Sequence, residues 1–462
     1  MLTGILGLCC VMGCGDEAFH ARFVSSEATE SLMKEAQQGY KGHAGVEELV
    51  HERFGTPQKL NNWLKMPLDA GGITGVIAET PTADGAIKSL QLQLDGELPE
   101  GSEDGGVLQV VSGDAAEEVV AFESWSAETG LCELVAPMQT APSAGDQIIV
   151  GGGELLQDGR VLYMRHCSHC HGTSGDGAGP TAVYLYPRPR DYRNGVFKFT
   201  STKSLMRPRR EDIHLILKNG IPGTYMPSFV PMLNEDELKA VIEYVRFLAM
   251  RGEFERKIAG EFSAEYSKEE YRKRIEGGES RKEILEALES FFEEDLPDFI
   301  EMDSDDVASA WESAQEEESV VVPSVPRTED TVESRRRGRE LFVGAKLNCV
   351  NCHGIGGKGN GPQTREYELV DGKPRPNPGL HDEWGHLVKP RNLTTGIYRG
   401  GRRPIDIFRR LYSGINGAKM PAFGGKVSDA ELWDVVNYVL SLPFEPKPGH
   451  SPAPAEEATA SL

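Results

Sequence analysis

No stretch of this 462-residue sequence is long and apolar enough to be read as a membrane-spanning helix. The apolar run from Leu2 to Met12 falls well short of the roughly 20 residues that a span needs. A disulfide framework is missing too. Of the eight cysteines, Cys9, Cys10 and Cys14 crowd the start, Cys167/Cys170 and Cys349/Cys352 form two close pairs, and Cys132 stands alone. Positive charge is also short, with 49 Lys and Arg against 72 Asp and Glu and a formal net charge of −23. That balance argues against nucleic acid as a partner of the acidic majority.

The acidity is uneven. Residues 1–150 hold 7 basic against 23 acidic side chains, and 253–333 hold 9 against 26. Residues 151–252 hold 14 against 10, and 334–446 hold 18 against 11, so two segments are net basic inside an acidic chain.

Composition and periodicity divide the sequence further. Residues 1–14 read as a signal segment ending in VMGC, which resembles a bacterial lipobox and implies Cys14 as the lipidated first residue of the mature chain. No basic residue precedes the apolar run, and Met12 stands where a small residue is usual, so a plain secretory signal or a buried N-terminal strand is the alternative. Residues 15–65 carry helix formers with helical apolar spacing, ending near Gly55-Thr56-Pro57. Over 66–150 the period falls to two, as in Leu90, Leu92 and Leu94, and the spacing predicts a small antiparallel β-domain. Residues 253–333 read as an acidic helical insert passing into an extended linker, and 447–462 as a disordered Pro/Ala-rich tail.

The remaining segments, 151–252 and 334–446, repeat each other. HCSHCHGTSGDGAGP (166–180) and NCVNCHGIGGKGNGP (348–362) align at an offset of 182. At an offset of 194, PGTYMPSF aligns with NGAKMPAF, carrying Met226 onto Met420, and Leu238, Val241 and Tyr244 fall onto Leu432, Val435 and Tyr438. The last set predicts one buried face of a C-terminal helix in each copy.

Cys-x-x-Cys-His is the pattern of covalent c-type haem attachment. Two thiols on one turn can each add to a porphyrin vinyl group, and the adjacent histidine then reaches the iron. A redox dithiol or half a zinc site is the competing reading. A zinc site needs two further ligands, and His166, His169, His381 and His386 do not match between the copies. Met420 is the single methionine of the second copy, and only Met226 matches it in the first.

In these motifs the two segments resemble class I cytochromes c over about 215 residues. The resemblance implies a mainly α fold. Two class I cytochrome c-like helical modules would be joined by an acidic helical linker, preceded by a helical segment and a small β-rich domain. It implies two covalently attached haems c: Cys167, Cys170, His171 and Met226 hold the first, and Cys349, Cys352, His353 and Met420 the second. The carbonyls of Pro180 and Pro362 are expected to accept from the histidine N–H, and Arg190 and Arg391 to pair with haem propionates. The second copy carries a 19-residue insertion, within 365–386, ahead of Arg391. Cys132 reads as a buried small hydrophobe, and Trp125, Trp311, Trp384 and Trp433 as packing.

The expected role is not an enzyme's. It is a relay of single electrons in a respiratory chain, at the periplasmic side of the cytoplasmic membrane, held by a lipid anchor. The expected partners are membrane redox complexes, a quinol-oxidising complex and a terminal oxidase, or other electron carriers. A dihaem peroxidase, or a cytochrome subunit of a dehydrogenase or oxidase complex, is the alternative.

Overall fold

The computed structural model describes residues 22–36, 42–81, 86–98, 105–116 and 118–444. The proposed lipidation residue Cys14 and the 447–462 tail lie outside the described residues.

Helices α1 (Glu27–Ala36) and α2 (Gly42–Phe54) come first. Val46, Val50 and Phe54 recur every four residues on α2 and are buried. Six strands follow: β1 (Ile73–Glu79), β2 (Ser89–Leu94), β3 (Gly106–Val110), β4 (Val119–Trp125), β5 (Leu131–Leu134) and β6 (Gln147–Val150). All pair antiparallel in the order β1-β2-β5-β4-β3-β6, and β6 returns to β1 to close a barrel. Closure pairs both edges that an open sheet would leave free. Leu90 and Leu92 point into its core with Ile77, Leu108, Phe122 and Cys132, whereas Leu94 is only partly buried beside that cluster. Gly153 and Leu155 donate to the carbonyl of Ala70 as β6 passes into the next helix, which fixes the barrel to the first module.

That module begins with α3 (Glu154–His166) and the single turn α4 (Ser168–His171), continues with α5 (Arg210–Asn219) and ends in α6 (Glu235–Tyr266). Asn234 caps α6, exchanging hydrogen bonds with Glu237. The boundary expected at 252/253 falls inside α6, which runs for 32 residues into the acidic insert. Helices α7 (Lys268–Glu276), α8 (Arg281–Ser290) and α9 (Leu296–Ser313) then fold back on it. Trp311 of α9 is fully buried and donates its indole N–H to Glu253, which also receives Arg207. One apolar core therefore joins α1, α2, the first module and the insert.

The second module holds α10 (Val332–Val343), the turn α11 (Val350–His353), α12 (Pro404–Ser413) and α13 (Asp429–Ser441). Its insertion forms two small hairpins, β7 (Leu369–Val370) with β8 (Lys373–Pro374) and β9 (Leu380–His381) with β10 (Leu387–Val388). The expected linker is extended but pinned. Val321 is buried, Trp433 donates to the carbonyl of Val325, and Asn437 donates to that of Thr328.

Both modules share one helix crossing. Gly159 of α3 meets the carbonyl of Ala240 on α6, and Gly338 of α10 meets that of Asp434 on α13. Tyr163 then stands edge-on to Tyr244 at 5.2 Å, and Phe342 to Tyr438 at 5.4 Å.

Candidate functional site

Each Cys-x-x-Cys-His stretch forms a tight turn with the same hydrogen bonds in both copies. The amide of His171 donates to the carbonyl of Cys167 at 2.9 Å, and that of Gly177 returns to the carbonyl of His171 at 2.9 Å. In the second copy His353 donates to Cys349 and Gly359 to His353, both at 2.8 Å. The glycines are required by the chain's own backbone. A Cβ on Gly179 would lie 2.5 Å from the carbonyls of Ser168 and His169, and one on Gly177 would press on that of Pro189.

Each turn opens into a cavity. The first, about 470 Å³, is lined by Cys167, Cys170, His171 and Met226, with Tyr192, Phe197, Leu217, Val241 and Val245 supplying apolar wall. The second, about 450 Å³, is lined by Cys349, Cys352, His353 and Met420, with Phe342, Leu347, Leu411, Val435 and Val439. Both volumes fall in the roughly 300–1,000 Å³ range of cofactor pockets. The structure thus brings the two thiols, the histidine and the matched methionine of each copy to one apolar cavity. Burial pushes the Cys167 and Cys349 thiols up to about 12 and holds both imidazoles below the usual histidine range, hence neutral. A neutral imidazole is the metal-binding form.

The acceptor for each imidazole differs from expectation. Nδ1 of His171 faces the carbonyl of Arg190 at 3.3 Å, and Nδ1 of His353 faces that of Arg391 at 3.1 Å. Pro180 and Pro362 are exposed beyond the glycine turn. Gly179 and Gly361 donate back to Cys170 and Cys352 there, which folds both prolines away from the ring. Arg190 and Arg391 line the first and second cavity respectively.

Two residues that the motifs do not single out lie at the site. Lys198 and Arg399 line both cavities. They occupy equivalent places, since an offset of 201 carries Arg190, Gly195 and Phe197 onto Arg391, Gly396 and Tyr398, and Lys198 onto Arg399. That third offset was the available signal. Trp384 of the insertion lies under the guanidinium of Arg190, 4.0 Å from ring centroid to Cζ.

These residues fit a porphyrin bearing carboxylates. All three guanidinium nitrogens of Arg190 and the Nε of Arg399, both of which line a cavity, are buried without a hydrogen-bond partner. Buried donors of this kind call for an acceptor. Burial pushes Arg190 down to about 10 and Lys198 down to about 8. No group of three or more His, Cys, Asp or Glu suited to a metal ion occurs among the described residues.

Residues 154–245 match the family model described as cytochrome c oxidase, cbb3-type, subunit III, and residues 336–443 match that of cytochrome c. A chain of the Kuenenia stuttgartiensis reducing HAO-like protein complex is similar at 25% identity and a TM-score of 0.42, over 62% of this chain and 96% of that one. None of the curated proteins matches. Two cytochrome c domains imply covalently bound haem c and a role in electron transfer.

Proposed function

From two cytochrome c domains in one chain, we propose a dihaem electron relay that passes single electrons between redox partners. The observation that carries this reading is the pairing, in each apolar cavity, of a Cys-x-x-Cys-His turn with the one methionine that matches between the copies. Cys167 and Cys170, and Cys349 and Cys352, would hold the two groups by thioethers. His171 with Met226, and His353 with Met420, would supply a nitrogen and a sulfur ligand to each iron. Each haem supplies a one-electron ferric/ferrous couple when bound.

The rest is the work of the chain. The carbonyls of Arg190 and Arg391 hold the imidazoles in the tautomer that leaves Nε2 free. Met226 and Met420 would each supply a thioether sulfur to the iron when haem is bound, and sites so filled would leave no place for a substrate, which favours relay over turnover. Exposed Tyr225 and Met232 border the first cavity, and exposed Lys419 the second, so each opens to the surface on one side.

In the finer reading, the relay works in a respiratory chain at the periplasmic face of the cytoplasmic membrane, anchored through Cys14. A quinol-oxidising complex and a terminal oxidase are the partners of choice, and the basic charge of the two modules suits acidic docking patches. No helix among the described residues is long and apolar enough to cross a membrane.

The oxidised spectrum separates relay from peroxidase. A methionine–iron charge-transfer band from both haems, with no peroxide turnover, supports the relay. Loss of that band from one haem with rapid peroxide consumption would overturn it.

A further inference from the structure

The two cavities meet at one wall. Lys198, Phe199 and Arg399 line both, and a Cβ on Gly400 would lie 2.5 Å from the ring of Phe199. Around this wall the modules exchange arms. Arg190, whose carbonyl serves His171, sends its guanidinium onto Trp384 of the second module, where a Cβ on Gly417 would come 2.7 Å from Nη1. Arg391, whose carbonyl serves His353, sends its guanidinium over Gly223 of the first module, again 2.7 Å from where a Cβ would stand. Gly223 and Gly417 are counterparts at the 194 offset, so the exchange is reciprocal.

Further bonds fix the interface. Ser413 donates to the carbonyl of Thr202 at 2.9 Å, and the amide of Lys389 donates to the Tyr186 hydroxyl at 2.9 Å.

The result is four cations, Arg190, Lys198, Arg391 and Arg399, along one half-buried seam. Arg391 donates its Nε to the carbonyl of Ile397 at 2.8 Å, but the protein offers little to balance the other three. Asp382 reaches Lys198 only at 3.9 Å, and Asp191 is already held by Arg193. Arg190 has no hydrogen-bond partner at any nitrogen, and Arg399 none at Nε. Guanidinium nitrogens buried without partners, as on Arg190 and Arg399, are costly, and the wall they help form calls for anions arriving from the two cavities.

We propose that Lys198 and Arg399 each contact carboxylates of both porphyrins, so that a single cationic wall sets both reduction potentials. This rests on the reading that each cavity holds a haem. Positive charge close to an iron favours the reduced form, because reduction adds a negative charge. A cation at the edge of one cavity acts mainly on one haem. A cation in the shared wall acts on two.

The test is spectroelectrochemical titration of the full haem-loaded chain, with haem counted by pyridine haemochrome. Lys198→Met and Arg399→Gln should each retain two haems and lower both midpoint potentials, whereas Lys198→Arg should keep both near their original values. Arg188→Gln, at an exposed residue lining only the first cavity, should move the first potential alone if it moves any. Two bound haems with one or neither potential shifted in both Lys198→Met and Arg399→Gln would overturn the shared wall. Fewer than two haems in the unaltered protein would instead overturn the assignment of the cavities themselves.

Discussion

Gly338 packs against the backbone carbonyl of Asp434 where α10 crosses α13, leaving no room for a side chain. Gly159 and Ala240 make the same contact in the first module. A methyl group at either glycine forces the helices apart and disturbs the aromatic pair beside the crossing. Overpacking of this kind costs roughly 1–3 kcal/mol. Gly338→Ala should therefore lower the denaturation midpoint of the second module, read by circular dichroism. An unchanged midpoint would contradict the crossing.

The methionines give a sharper contrast. Met420→Ala should leave both haems covalently attached, lower the second potential and open that site to added imidazole. Met226→Ala should do the same for the first. Binding of imidazole to the unaltered protein as readily as to the variants would exclude methionine as the distal ligand.

Cys132 sits in the barrel core, where burial pushes its thiol up to about 12. The thiolate is the reactive form, so alkylation of the folded protein at pH 7 should be negligible and should rise about tenfold per pH unit while the barrel stays folded. Unfolding with denaturant should expose one alkylatable thiol within residues 22–444, the other four being thioethers. Five labelled thiols would count against covalent haem.

The strap over 320–331 should resist limited proteolysis, because Asn437 receives Arg327 at 2.9 Å and donates to Thr328 at 3.0 Å. Asn437→Ala leaves these groups unpaired, and cleavage in the strap should become several-fold faster. An unchanged rate would show that the contacts with Trp433 hold the strap by themselves.

What the sequence disclosed follows from how local each feature is. The Cys-x-x-Cys-His turns and the matched methionines were legible because attachment chemistry constrains neighbouring residues. The alternation at Leu90 and Leu92 revealed strands, but closure depends on β6 returning to β1 across some 70 residues, which no local period records. The boundary expected at 252/253 follows the change of charge, whereas the apolar face of α6 continues across it through Phe254, Ile258 and Phe262. The histidine acceptor was sought next to the glycine turn, at Pro180, and found 19 residues beyond His171, at Arg190. Trp384 and Lys198 looked unremarkable in sequence because their importance arises only where the two modules meet.

Quantitative pyridine haemochrome with intact-mass measurement on purified native protein addresses the main claim most directly. Two haems c per chain, each adding its mass covalently, is the result expected. A colourless chain, a single haem, or zinc in place of the pigment would contradict it.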